Sequence, residues 1–332
     1  MKPHVTVLTA VRNGARYIAE TIESVQRQTY ANWEYLIVDD ASTDDTLGVV
    51  EKYQRQDARL RVLKRTVSAG PYTAANDGLR EARGEYVIRI DADDLATPDR
   101  IAKQLAFLSA RRKYRACVSY WQGLNEKGVI PGTVTPVPES PRVFCWALLL
   151  RSASIHSAVC YERSMMEEIG GYRDLPLSQD YRLWCELTRR GWLGIMPEVL
   201  CYVRSHPKRE SHAQFDVQRQ LALDVLADHL LALAGERWSR EDLTALRSVG
   251  HSERMPAGKG IEMLDRWDRL WKAAADLTPE DRKELARLSA FRRWKHLRAN
   301  ARTQPIPALV GLLKLVTTKS QFLVPALRGI GS

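Results

Sequence analysis

Short β-branched apolar runs alternate with amphipathic stretches over the first 110 residues. Val5–Val11 (VTVLTAV) reads as a strand buried on both faces. Arg12-Asn13-Gly14 breaks it, and Tyr17, Ile18, Ile22 and Val25 then recur at helical spacing, predicting a helix over 15–28. Trp33–Val38 and Leu60–Lys64 read as further strands, with a helix at about 45–56 between them. A helix over 73–82 ends at Gly84, a fourth strand follows at Tyr86–Ile90, and Pro98 opens a helix over 98–111. This alternation predicts a doubly wound α/β sheet. Ligands of such sheets sit at the carboxyl ends of the strands. The acidic clusters after the second and fourth strands are therefore expected at one edge.

The pattern weakens between 115 and 160. Ala116–Tyr120 and Ala158–Tyr161 are candidate strands, and Pro131, Pro136, Pro138 and Pro141 mark a loop-rich stretch. Helices are expected at Arg163–Glu168 and Ser178–Arg189, with a late strand at Val199–Val203. Beyond about 213 the chain reads as helical throughout. The expected division is a catalytic domain over 1–210 and a basic helical extension over 211–332.

Hydrophobic residues make up 45% of the 332, and charged residues 27%, so a real core is expected. The formal charge of +10 favours an anionic partner. From Arg282 onward the cations are opposed only by Glu284, so the excess lies away from the acidic clusters. The five cysteines form no CxxC or Cys/His group, which argues for free thiols in a reducing compartment. Neither a signal peptide nor a spanning helix is apparent, so a cytoplasmic location is expected.

Asp91-Ala92-Asp93-Asp94 is the most informative segment. Three carboxylates within four residues repel one another unless a cation sits among them. Hard oxygen donors favour Mg²⁺ or Mn²⁺ bridging to a diphosphate. A turn capping the next helix accounts for the same residues. Asp40, after the second strand, could accept from a base N–H, or serve an Asx turn with Ser42 and Asp44. Asp180 opens a predicted helix and is a candidate general base or a simple cap. Arg204 and His206 follow the late strand and could hold diphosphate or metal, or form a basic surface loop. His156 is a weaker candidate.

Together, VTVLTAVRNGARYIAETIESVQRQTYANWEYLIVDDASTDDT, AANDGLREARGEYVIRIDADDLATPDRI and CYERSMMEEIGGYRDLPLSQDYRLWCEL resemble the family 2 glycosyltransferases, which have the GT-A nucleotide-diphospho-sugar transferase fold. The resemblance covers about residues 4–205. It implies a GT-A, Rossmann-like, doubly wound mixed sheet with a C-terminal helical extension. It also implies an inverting transfer of sugar from a UDP-, GDP- or dTDP-linked donor to an acceptor hydroxyl. Asp40 then matches the base-recognising carboxylate, Asp91 and Asp93 the DxD pair, and Asp180 the catalytic base. Ala10 and Arg204 join the expected donor contacts, and Asp93, Asp94 and His206 the expected ligands of Mn²⁺ or Mg²⁺.

Two positions depart from the family. Ala75 stands where relatives often carry Arg, and Gln179 where they often carry Glu. The QxxRW signature of processive synthases is absent near 218–221, which favours transfer of single sugars. A glycan or lipid-linked acceptor in envelope or exopolysaccharide synthesis is expected, and no nucleic acid. A nucleotidyltransferase and a non-catalytic nucleotide-sugar-binding scaffold of the same fold are the alternatives. Outside the resemblance, Ile306–Val316 and Phe322–Leu327 are apolar and punctuated by Lys314, Lys319 and Arg328. They suggest peripheral attachment to an anionic membrane surface on its inner face, or a helical cap.

Overall fold

The computed structural model describes residues 3–135, 137–152, 154–172, 178–206 and 215–300. These divide into two compact units. The first comprises 1–139 and 154–218, the second 140–153 and 219–332.

The first unit is built on one mixed sheet. Four parallel strands come first: β1 (Val5–Val11), β2 (Trp33–Asp39), β3 (Leu60–Lys64) and β4 (Tyr86–Arg89). Helices α1 (Ile18–Gln26), α2 (Thr46–Gln56) and α3 (Pro71–Glu81) connect them. β5 (Leu95–Ala96), α4 (Arg100–Ala110), β6 (Ala116–Asn125), β7 (Gly128–Thr135), β8 (Val159–Glu162) and β9 (Leu193–Arg204) complete the framework. The sheet runs β3-β2-β1-β4-β8-β6-β9-β5, with β7 paired to β6. β8 enters antiparallel between β4 and β6, so the parallel half gives way to a mixed one. Val5, Ile18, Ile22, Tyr35, Ile37 and Ile90 are fully buried between the parallel strands and the helices.

The four early strands fall where the apolar runs predict them. The proline-marked stretch differs from expectation. β7 forms there despite Pro131 because it is an edge strand paired only with β6, where a missing N–H costs no ladder bond on its open side. β9 is also longer than the expected Val199–Val203. It carries the chain from Leu193 to Arg204 alongside β6, with register shifts around Tyr120.

Three further helices lie outside the β-rich framework. α6 (Arg163–Glu168) and α7 (Gln179–Arg189) belong to the first unit. α5 (Pro141–Ala147) belongs to the second. Its start carries a cap that explains why the prolines do not make a loop here. Pro141 occupies the first turn, and the Ser140 side chain accepts from the Val143 N–H.

The second unit is helical: α8 (Phe215–Ala234, from Arg219 onward), α9 (Arg240–His251), α10 (Ala257–Ala273) and α11 (Pro279–Asn300). Trp267 is fully buried and its indole N–H donates to the Trp146 carbonyl at 3.1 Å. Trp271 is likewise buried. Arg292 and Arg293, two cations of the basic C-terminal stretch, point into this unit and are 8% and 6% exposed. Arg293 is paired with Asp268 at 2.7 Å and Asp265 at 2.9 Å. Among the described residues, no helix is long and apolar enough to cross a membrane. The expected membrane segments at 306–316 and 322–327 lie outside the described residues.

Candidate active site

The two acidic clusters flank the end of β1. Val11 is in register with Asp39 on one side, and the Ile90 N–H donates to the Leu8 carbonyl on the other. Ala10 sits opposite Val38 at the same end.

Asp40 is 2% exposed. One oxygen, Oδ1, accepts from the Ala69 N–H at 3.1 Å and pairs with Arg65 Nε at 2.9 Å. The other, Oδ2, accepts from Ser68 Oγ at 2.7 Å and the Gly70 N–H at 3.0 Å. These four donors fill the usual acceptor capacity of a carboxylate. They fix the turn that opens α3, where Gly70 adopts φ +90°, a left-handed conformation that suits glycine. The neighbouring Asp39 is also buried, with Oδ2 accepting from the Ser42 N–H at 3.2 Å and Oδ1 unpartnered.

The Asp91–Asp94 loop is organised differently. Asp91 is held by its own N–H donating to Ser157 Oγ at 2.9 Å and by Arg89 at 3.4 Å, and its side chain is 36% exposed. Asp94 is fully buried, and Oδ1 accepts from the Arg204 N–H at 2.9 Å. Its carboxylate thus fastens the loop to the end of β9. Asp93 points outward at 18% exposure, with Oδ2 at 2.9 Å from His206 Nε2. The Asp93 carbonyl accepts from Arg204 Nε at 3.0 Å. Arg204 also lies over the Tyr17 ring at 4.6 Å and pairs with Glu20 at 2.7 Å, while His206 approaches the same ring at 5.1 Å. β9 and the start of α1 therefore frame the acidic loop with one cation and one imidazole.

Among the described residues, no three His, Cys, Asp or Glu side chains are grouped to hold a metal. Asp93 and His206 are a converging pair. Two protein donors suit Mn²⁺ or Mg²⁺ when a diphosphate and water complete the octahedron. The residues present fit such an ion in that limited sense, with Asp94 facing inward.

Asp180 lies in the first turn of α7, after Ser178 at φ 66°. Its carboxylate and that of Asp91 act on the same two tyrosines. The Tyr72 hydroxyl is raised well above its ordinary range by burial first, then by Asp180 and Asp91. Burial pushes Tyr172 up to about 12 against the pull of Arg89, with Asp91 and Asp180 adding to the rise. Both hydroxyls thus feel the charges of Asp91 and Asp180, and the two rings lie 6.0 Å apart. Tyr72 follows the Gly70 turn that Asp40 fixes, which connects the first acidic cluster to the same neighbourhood.

Several members of this neighbourhood are not evident from sequence. Asn76 of α3 clamps the Tyr172 backbone from both sides, accepting from its N–H at 2.8 Å and donating to its carbonyl at 2.7 Å. The Tyr172 hydroxyl meets His156 Nε2 at 2.6 Å and the Tyr161 hydroxyl at 3.2 Å. His156 is 8% exposed, and burial, reinforced by Arg89, holds its pKa down to about 3. The available signals were local: Pro71-Tyr72 at a helix start and Gly170-Gly171-Tyr172 at a turn. Neither announces a partner some 90 residues away.

The profile of "Glycosyl transferase family 2" matches residues 6–168. A putative teichuronic acid biosynthesis glycosyltransferase TuaG of Bacillus subtilis is 39% identical over 207 residues, covering 61% of this chain and 79% of that one. The UDP-Glc:alpha-D-GlcNAc-diphosphoundecaprenol beta-1,3-glucosyltransferase WfaP of Escherichia coli is 30% identical over 189 residues, 56% of this chain and 71% of its own. Among solved structures, S. aureus TarS 1-349 in complex with UDP-GlcNAc superposes with a TM-score of 0.60 at 17% identity, over 97% of this chain and 92% of that one. The mannosyltransferase PcManGT of Pyrobaculum calidifontis, in complex with GDP-Man and Mn²⁺, gives 0.57 at 21% identity, over 96% and 88%. At these identities the structures speak to the fold, which is the GT-A fold. The sequence relatives carry the rest: this chain belongs to glycosyl transferase family 2 and is a glycosyltransferase.

Proposed function

We propose that the enzyme transfers a single sugar, with inversion, from a nucleotide-diphospho-sugar to an acceptor hydroxyl in cell-envelope or exopolysaccharide synthesis. The observation that carries this reading is the Asp91–Asp94 loop beyond β4, where part-exposed Asp93 meets His206 at 2.9 Å while Asp94 turns inward onto the Arg204 N–H. Asp180, in the first turn of α7, supplies the second carboxylate of this reading. In this reading Asp180 takes the acceptor proton as the hydroxyl oxygen bonds to the anomeric carbon. The bond from that carbon to the diphosphate oxygen breaks, and the nucleoside diphosphate leaves. Ala10 borders the base, with Asp40 holding the Ala69–Gly70 turn beside it, while Asp91 and Arg204 border the diphosphate and sugar. Asp93 and His206, with Asp94 behind them, would hold Mn²⁺ or Mg²⁺. A bound ion would neutralise charge developing on the departing diphosphate.

The first unit is the catalytic body in this reading, with the basic helical extension beyond about 211 serving attachment. WfaP's name specifies a diphosphoundecaprenol acceptor and TuaG's a teichuronic acid pathway. A lipid-linked or glycan acceptor at the inner membrane face follows by likeness, with the apolar tail as the attachment. The test is a thermal-shift screen of UDP-, GDP- and dTDP-sugars with Mn²⁺, followed by NMR of the product. One donor should stabilise the protein selectively and yield a product of inverted anomeric configuration. A product of retained configuration overturns the single-displacement reading.

A further inference from the structure

The second unit gathers arginines where carboxylates are scarce. Gly250, at the end of α9, packs so tightly that a Cβ there would stand 1.8 Å from the Leu150 carbonyl oxygen. That contact brings Arg151, the next residue after Leu150, beside the carboxyl end of α9. Arg292 reaches the same place from α11, its Nη1 donating to the Gly250 carbonyl at 2.9 Å. Arg247 and His251 lie on α9 itself. Arg219 arrives from α8, 2.7 Å from Ser248 Oγ, and its charge is met by Glu253 at 2.7 Å.

These groups feel one another. Arg292 is 8% exposed, and its Nε is buried without a hydrogen-bond partner. Burial, then Arg151, brings its pKa down to about 10. Arg151 is lowered by burial and then by Arg247. Close packing holds His251 down to about 3, aided by Arg247, Arg151, Arg292 and Arg219, although its side chain still reaches solvent. Lys295 is lowered by burial and by Arg292, Arg151 and Arg298. No carboxylate among the described residues offsets Arg151 or Arg292.

Two simpler accounts fall short. The carboxyl end of a helix carries only about half a negative charge, too little for the guanidinium groups of Arg151 and Arg292 together. The tail over 301–332 contains no Asp or Glu, and it adds Arg302, Lys314, Lys319 and Arg328. Burying guanidinium groups without a counter-charge costs several kcal/mol per ion. A ligand that supplies the missing charge removes that cost.

We propose that the Arg151, Arg292 and His251 cluster at the end of α9 is a binding site for a phosphate group, either free or carried by a lipid headgroup. Guanidinium forks match a tetrahedral oxyanion in two-point contacts, and partial burial strengthens them. His251 sits at the solvent side, where such a ligand enters. The inference does not rest on the transfer chemistry proposed for the first unit.

The test uses the full chain. Thermal unfolding is followed with inorganic phosphate against chloride at matched ionic strength, and flotation with phosphatidylglycerol against phosphatidylcholine vesicles. The wild type, Arg151→Gln, Arg292→Gln and the surface control Arg240→Gln are compared. A phosphate-dependent rise in Tm that weakens about tenfold in apparent affinity in Arg151→Gln, and not in Arg240→Gln, supports the site. Arg151 is only half-buried, so this variant keeps the test open if Arg292→Gln fails to fold. Loss of phosphatidylglycerol flotation in Arg151→Gln without any response to free phosphate assigns the ligand to a lipid headgroup. Equal responses of wild type and Arg151→Gln in both assays, or no response of the wild type in either, overturns the proposal.

Discussion

Asp40 and Asp93 both lie in loops that follow the two strands flanking β1, yet their carboxylates are treated in opposite ways. Asp40 is buried under four donors, including two backbone N–H groups and Arg65. Asp93 is part-exposed and meets His206. A carboxylate with its acceptor sites filled has its energy invested in the fold. One that faces a single imidazole at a solvent-reached edge can exchange that partner for a ligand. An acid after a parallel strand is thus one sequence pattern with two physical outcomes, decided by what the next loop offers it. After β2 the loop offers N–H donors. After β4 it offers another acid, Asp94, which turns inward to fasten β9 and leaves Asp93 outside.

The comparison is broken most severely at Asp180, the proposed base in the first turn of α7. Asp180→Asn should lower transfer by about 10²–10⁴-fold, the usual contribution of a positioned base, while donor-induced stabilisation persists. Full turnover of this variant would remove Asp180 from the chemistry. Asp93→Asn comes next. Turnover should fall by about 10²-fold, with loss of the Mn²⁺-dependent part of donor binding and little change in Tm. A Tm drop as large as that of a buried-acid variant would place Asp93 with Asp40 instead.

Asp40→Asn probes the opposite class. Asn supplies one acceptor oxygen where Asp40 supplies two, so at least one of the Gly70 N–H, the Ala69 N–H and Arg65 loses its partner. Stability should fall by about 1–3 kcal/mol in urea unfolding. A variant as stable as the wild type would mean that the turn before α3 holds without this carboxylate.

Much of this contrast was invisible in the sequence, for identifiable reasons. The parallel strands were legible because burial on both faces writes a continuous apolar run. The Asp91–Asp94 cluster was legible because its charges are adjacent. Which of its acids turns inward was not, because that depends on the register at which β9 presents the Arg204 N–H. The Asn76 clamp on Tyr172 and the Tyr72 pairing are likewise long-range, and no periodicity encodes them. β7 was hidden by Pro131, whose cost vanishes only at an edge. α5 lies in the proline-marked stretch, although Ser140-Pro141 is a helix-start signature. Helical segments beyond 213 were easy to place, but the inward aim of Arg292 and Arg293 depends on packing partners far away in the chain.

The smallest expected effect concerns His156, the buried imidazole behind Tyr172. Its pKa lies near 3 in the folded protein, against an ordinary 6.5 when unfolded. Between these values the unfolded chain binds the extra proton and the folded one does not. Stability from this group is therefore complete above about pH 6.5 and is lost as pH falls towards 3. The loss between pH 7 and 5.5 amounts to about 1 kcal/mol. His156→Gln keeps a polar partner for the Tyr172 hydroxyl and removes the titration. Urea midpoints measured at both pH values should converge for this variant relative to the wild type. Because the other histidines are common to both proteins, only the difference between them reports on His156. An identical pH slope in the two proteins would mean that the ring accepts a proton without leaving its place, and that the Tyr172 side of the site is looser than the Asp40 side after all.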